Sequence, residues 1–276
     1  MLPVLAELGP LRLVTHDVFT VLGLLAGLAI YYRELRRRGM LEHRIVLISM
    51  AVVLGGAFGA RLITAWEHLD YYRMFGEAPF TWVIEHSGKS LIGAIAGGYL
   101  GGVAAKRALG YRLSTRDCYA LAIPVAIIIG RIGCFLSELP LGTPTDLPWA
   151  IRVDPAVAAA FVRCPGCDLP MHPSMLYEIA FNIVAAVAIV RWGRRIPVPG
   201  DLLKAYLLVA FSFRFVVELV RGNEVQAFGL TGPQIVLVPL LALLVIHFVR
   251  QARAGAWRLP PAPAPLRPDF ATGGVP

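Results

Sequence analysis

Residues Cys118–Trp149 read CYALAIPVAIIIGRIGCFLSELPLGTPTDLPW. An uncharged apolar run, Cys118 to Ile129, meets an arginine, Arg131, and then a stretch rich in glycine and proline. Such a run reads as a membrane helix. A charge at its mouth is expensive to keep, so Arg131 is a candidate functional residue, and its place points to an anion at membrane depth. The commonest such anion is a phospholipid headgroup.

The rest of the chain has the same character. It has 276 residues, 57% of them hydrophobic and 16% charged. A soluble domain carries roughly 45–50% apolar and about 25% charged residues. The excess comes in long blocks, which favours a membrane protein over a large soluble core. No cleavable signal peptide is evident: the first block lacks a basic flank before it and a small-residue cleavage site after it. The formal charge is +8. Its basic residues cluster between apolar blocks, so the membrane explains them better than nucleic acid does.

Seven segments approach the roughly 20 residues a membrane helix needs. They are Val14–Tyr32, Ile45–Ala65, Ser90–Ala105, Cys118–Leu136, Met175–Val190, Leu202–Val220 and Pro233–Val249. The expected fold is therefore all-α, a polytopic bundle of about seven transmembrane helices. Arg33, Arg36, Arg37, Arg38 and Arg44 follow the first span. Lys106, Arg107, Arg112 and Arg116 follow the third, Arg191, Arg194 and Arg195 the fifth, and Arg250 and Arg253 the seventh. All fall on one side, which the positive-inside rule makes cytoplasmic. The N-terminus is then outside, the C-terminus inside, and the loop region 137–174 lies on the outer face. Residues 1–255 form one membrane domain. Residues 256–276, rich in proline and alanine, read as a disordered cytoplasmic tail.

Four places carry polar chemistry. Arg131 has a planar guanidinium fork suited to phosphate; the plainer reading is an arginine snorkelling to the interface. Gly130 and Gly133 beside it leave room for a headgroup or another backbone. In FRFVVELVRGN, Arg214, Glu218 and Arg221 share one helical face and cannot face lipid. They are either an internal salt bridge or an anion site, because two arginines against one carboxylate leave positive charge over. In MHPSMLYE, Pro173 suits a helix start, which places Ser174, Tyr177 and Glu178 in its first turns. His172 is a base, a headgroup contact or a loop residue. Cys164 and Cys167 form a CxxC pair. A disulfide or two thiols is the expected state, since zinc would need about two further ligands and only His172 is near. No metal is expected. Gly55 and Gly59, and Gly93, Gly97 and Gly101, read as close-packing stripes.

GRIGCF…LGTPTDLPW, HPSMLYE and FRFVVELVRGN, together with GGAFGARL and GKSLIGAIAGG, strongly resemble prolipoprotein diacylglyceryl transferase in order, spacing and topology. The resemblance covers all seven spans. It implies transfer of diacylglyceryl from phosphatidylglycerol to the lipobox cysteine thiol of a prolipoprotein signal peptide, in a bacterial plasma (inner) membrane, with the site toward the periplasmic face. It implies no cofactor and no nucleic acid; a monomer is expected. By motif position Arg131 and Arg214 match the family's two essential arginines, and Asp117, Glu218, Arg221 and Gly142 match other family positions. The expected substrate contacts are Arg131, Arg214, Glu218, Arg221, Gly142, Cys134, His172, Ser174 and Tyr177.

The chain also departs from the best-known family pattern. The HGG of span three reads IGA, so Ile92 takes the histidine's place. The asparagine of GRIGN is Cys134, GELWG becomes SELPLG, and a tyrosine of span one is His16. His16 is the expected catalytic base, with His86 and His172 as rivals; its plainer reading is an interfacial helix-start residue. The departures motivate an alternative, a non-catalytic relative that binds or moves anionic phospholipid. A small-anion channel is a third reading, and no inverted repeat is apparent to support it.

Overall fold

The computed structural model describes residues 4–8, 11–67, 90–137, 142–154, 169–223 and 225–258. Among them are seven α-helices, one for each apolar segment. They are α1 Thr15–Arg37, α2 His43–Glu67, α3 Leu91–Ala108, α4 Tyr119–Leu136, α5 Ser174–Trp192, α6 Asp201–Val217 and α7 Gly232–Arg253. Five stretches are long and apolar enough to cross a membrane: Thr15–Arg37, His43–Leu62, Arg116–Leu136, Ser174–Arg195 and Gly232–Arg253. Leu54, Phe58, Val184 and Leu243 expose 65–70% of their surface. Water would not tolerate apolar faces of this extent, whereas lipid covers them. The chain is a polytopic helical membrane protein.

Two short hairpins correct the all-helical expectation. β1 Val4–Leu8 pairs antiparallel with β2 Leu11–Val14, and β3 Val225–Ala227 with β4 Leu230–Thr231. The second turns at Phe228 (φ 54°) and Gly229 (φ 73°), the paired left-handed geometry that fits the twist of a tight hairpin. α1 runs past its predicted end at Tyr32 because its last turn is well paired. Arg36 and Arg37 suit the negative helix end, and Glu34 binds Arg37 at 2.8 Å and Arg38 at 2.7 Å. The sixth span leaves α-geometry at Val217 and tightens to a 3-10 turn over Glu218–Val220. Another 3-10 turn spans Ala256–Arg258. The remainder of the tail, Cys164, Cys167 and His86 lie outside the described residues.

The chain divides into two compact units. The first takes Met1–Met40, Ser114–Ala210 and Leu243–Pro276. In it α1 packs on α4 through residues without bulk. A Cβ on Gly23 would stand 2.6 Å from the Ala126 carbonyl oxygen, and one on Gly133 would strike Phe19. Glycine at these points lets α1 lie close enough to present His16 to α4. Asp117 ties the start of α4 to the start of α6. Its carboxylate accepts the backbone N–H groups of Gly200 (2.6 Å) and Leu203 (3.1 Å), which the helix leaves unpaired. Buried Asp201 accepts from His247 Nε2 (2.7 Å) and Lys204 Nζ (3.3 Å), holding the end of α7 to α6.

The second unit takes Leu41–Leu113 and Phe211–Ala242. Here α2 and α3 meet backbone to backbone along the two glycine stripes. A Cβ on Gly55 would lie 2.6 Å from the Gly97 carbonyl oxygen, and one on Gly97 would lie 2.9 Å from the Gly59 Cα. Lipid supplies no hydrophobic drive between membrane helices, so this contact depends on close dispersion and must not be spoiled. Ser90 starts α3, its side chain accepting from the Gly93 N–H at 3.4 Å. Gly97→Ala should therefore lower stability by about 1–3 kcal/mol. Gly130→Ala, whose Cβ would meet nothing within 4 Å, should lower it by none. Thermal unfolding of both variants in one detergent or nanodisc checks the contrast.

Candidate functional site

Arg131 stands near the end of α4, its side chain 14% exposed. Its Nε donates to Oε2 of Glu178 at 2.5 Å, and the Glu178 side chain is 4% exposed. This pair joins α4 to α5. The sequence reading placed Glu178 in the first turns of that helix but gave it no partner. Its signal was present: Glu178 and Asn182 are polar residues at i and i+4 in an otherwise apolar helix, so they share an inward face. Asn182 Nδ2 donates to the Glu178 backbone oxygen (2.7 Å), and Tyr206 on α6 donates to Asn182 Oδ1 (2.8 Å). The chain of polar groups is thus satisfied from α4 to α6, as an apolar surround requires.

Cys134 lies one turn beyond Arg131 and is a buried thiol. Its Sγ is 3.7 Å from the Arg131 NH1 and 3.6 Å from His16 Nδ1. Arg131, Cys134 and His16, expected separately, therefore form one cluster with Glu178. Arg131 has five N–H donors in a fixed fork. Among the described residues, Glu178 engages the Nε end and Cys134 the NH1 side. Gly133 takes the role of admitting another backbone, that of α1, while Gly130 faces open space.

Gly142, His172, Ser174 and Tyr177 form a second group in the same unit. The segments 142–154 and 169–173 are clipped by short β-bridges, Pro144 and Ile151 each pairing with Met171. Thr145 N donates to Pro170 O (2.8 Å) and His172 N to Thr143 O (2.9 Å). A Cβ on Gly142 would run into the His172 carbonyl, so this glycine serves the clip. Ser174 is fully buried, its N–H on the His172 carbonyl (2.9 Å). Tyr177 Oη accepts from Trp149 Nε1 (2.8 Å) and sits 3.1 Å from His172 Nδ1. Trp149 is a donor only, so Tyr177 Oη accepts there and shares a second hydrogen bond with His172 Nδ1.

Arg214, Glu218 and Arg221 belong to the second unit. Glu218 is buried and pairs with Arg214 and, at 3.8 Å, with Arg221. Asn223 Nδ2 also donates to Glu218, and Thr231 Oγ1 does so at 3.0 Å. The tightened turn keeps Arg221 against the carboxylate. The internal ion pair is present, with both guanidiniums on the Glu218 carboxylate. Ile92 is 5% exposed in the first turn of α3, so apolar packing fills the place where the family pattern has a histidine. Among the described residues, no group of three or more His, Cys, Asp or Glu side chains is arranged to hold a metal ion.

A family model described as prolipoprotein diacylglyceryl transferase matches residues 3–250. A protein of Frankia alni, named phosphatidylglycerol–prolipoprotein diacylglyceryl transferase, is 33% identical over 250 residues, which is 87% of this chain and 65% of that protein. A protein of the same name from Nitratidesulfovibrio vulgaris is 32% identical over 255 residues, covering 87% and 90%. Another, from Methylococcus capsulatus, is 28% identical over 258 residues, covering 88% and 93%. The family match extends from β1 into the last turn of α7 and includes all three polar groups: the chain belongs to the prolipoprotein diacylglyceryl transferase family.

Proposed function

We propose that this protein is a phosphatidylglycerol–prolipoprotein diacylglyceryl transferase of a bacterial plasma membrane. On this reading all seven helices span the bilayer, the N-terminus is outside, and the site opens toward the periplasmic face. The basic loops after α1, α3, α5 and α7 support that orientation. The observation that carries the reading is Arg131, a guanidinium kept inside a membrane helix of this family and held at one edge by Glu178. An arginine held at Nε by Glu178 and beside Cys134 still has further N–H donors to offer a phosphate.

The reaction is a displacement at carbon. The lipobox thiol loses its proton, because the thiolate is the nucleophile. Its sulfur attacks the diacylglyceryl carbon that bears the phosphate oxygen. A C–S bond forms, the C–O bond breaks, and the electron pair leaves on glycerol phosphate. Negative charge grows on that oxygen, so fixed positive charge there lowers the barrier. Arg131 and Arg214 are assigned this role. Glu218 and Arg221 orient and offset Arg214, and His16 is assigned the thiol proton. Gly142, His172, Ser174 and Tyr177 shape the substrate-contacting loop. The reaction as assigned uses no cofactor, and the protein acts as a monomer.

Arg131→Ala and Arg214→Ala should each reduce transfer of labelled diacylglyceryl from phosphatidylglycerol to a lipobox peptide by about 10²–10³-fold. Removing Arg131 alone strands Glu178, at a cost of about 3–5 kcal/mol for a buried charge left without its partner. The double variant Arg131→Gln, Glu178→Gln avoids that loss and should fold yet remain inactive. Unchanged transfer in either alanine variant would falsify the clamp. Binding of phosphatidylglycerol by wild type without any peptide modification would favour the lipid-binding relative instead. His16→Ala should cost about 10²–10⁴-fold if it is the base; full activity removes that assignment and leaves the arginines standing.

A further inference from the structure

Cys134 is a buried nucleophilic group for which the reaction above has no chemical use. Its surroundings are unusual for a core thiol. His16 Nδ1 from α1 lies 3.6 Å from its Sγ, and Arg131 NH1 from α4 lies 3.7 Å away. From α5, Glu178 accepts from Arg131 Nε at 2.5 Å. The remaining charged group of α1 near this end is Asp17, an exposed residue of the first turn. The sulfur therefore faces one imidazole and one guanidinium, while the nearest carboxylate is already engaged.

We propose that Cys134 and His16 share one proton and together form the base that accepts the proton of the lipobox thiol. This rests on the transferase reading and refines the assignment of His16 within it. Two arrangements of the pair are possible, a thiol beside a neutral imidazole or a thiolate beside an imidazolium. The Arg131 charge favours the second, because a thiolate accepts from both N–H donors at once. In that arrangement the sulfur is the atom able to take a proton, and it takes it from a group of its own kind. The proton moves between two sulfur atoms, and the His16 imidazolium keeps a second proton for the leaving oxygen.

The cycle balances. The substrate thiol gives its proton to Cys134 Sγ. The substrate thiolate forms the new C–S bond and the C–O electron pair leaves on phosphate oxygen. The His16 imidazolium gives its proton to that oxygen. The Cys134 thiol then passes its proton to His16 Nδ1, restoring the starting pair. No oxidant, metal or further reactant enters. The pair serves as base before the displacement and as acid after it.

The test uses full-length protein in nanodiscs containing phosphatidylglycerol. Alkylation by iodoacetamide at pH 7 is followed by mass spectrometry at Cys134, with buried Cys118 as internal reference. His16→Gln should slow alkylation of Cys134 at least tenfold and leave Cys118 unchanged. Equal or faster alkylation of Cys134 overturns the shared proton. In transfer assays Cys134→Ala and Cys134→Ser should each lower kcat by about 100-fold, keep KM for phosphatidylglycerol within about threefold, and remove the acidic limb of the pH profile. A kcat within about threefold of wild type with an unchanged profile in either variant overturns the base. If wild-type protein transfers nothing, the transferase reading falls, and the alkylation result still decides whether the pair exists.

Discussion

The contact on which this molecule turns is the ion pair between Arg131 and Glu178. Hydrocarbon offers neither charge a hydration shell, so neither helix could carry its residue alone without paying several kcal/mol. Bringing the two together removes the penalty only when α4 and α5 lie side by side at the correct depth. The pair thus fixes the relative height of the two helices as much as it stores charge. Asn182 and Tyr206 continue the same logic, each polar group present because the next one satisfies it.

Small residues make such polar contacts reachable. His16 meets Cys134 because Gly133 admits the Phe19 side chain and the His16 Cα, and α1 can follow α4 because Gly23 and Gly27 present no side chain. The same device joins α2 to α3 with no polar group at all. Two uses of glycine are therefore distinct in this chain. In the second unit it supplies packing alone. In the first it sets the distance between an imidazole, a thiol and a guanidinium, and so links helix packing to the geometry of the candidate site.

The helices were readable because their apolar runs are long, and a run of that kind survives any choice of neighbours. The stripe of Arg214, Glu218 and Arg221 was readable for a related reason: helical spacing alone puts the three together. The partner of Arg131 was not, since nothing local connects position 131 to position 178. Only the polar spacing of Glu178 and Asn182 on an apolar helix hinted that something charged must face them. The two hairpins were hidden because their strands are too short for a period-two pattern to emerge. Asp117 was singled out by motif position alone, while its structural duty, capping α6, depends on a turn at Gly200 with φ of +92° that no hydropathy pattern reveals.

The acidic partners also bear on turnover. On the proposed transferase reading, a guanidinium with no carboxylate beside it would hold a glycerol phosphate dianion far more tightly than the monoanionic lipid it came from, and product would stay. Glu178 offsets Arg131, and Glu218 offsets one charge of Arg214 and Arg221. Each group therefore presents donors of fixed direction beside a carboxylate that offsets their charge. Such a group still stabilises an oxygen where charge develops, because oriented dipoles act at short range. It grips the departed anion less, because net charge acts at long range. On the transferase reading proposed above, carboxylates beside the arginines would separate stabilisation of the reacting oxygen from retention of the product.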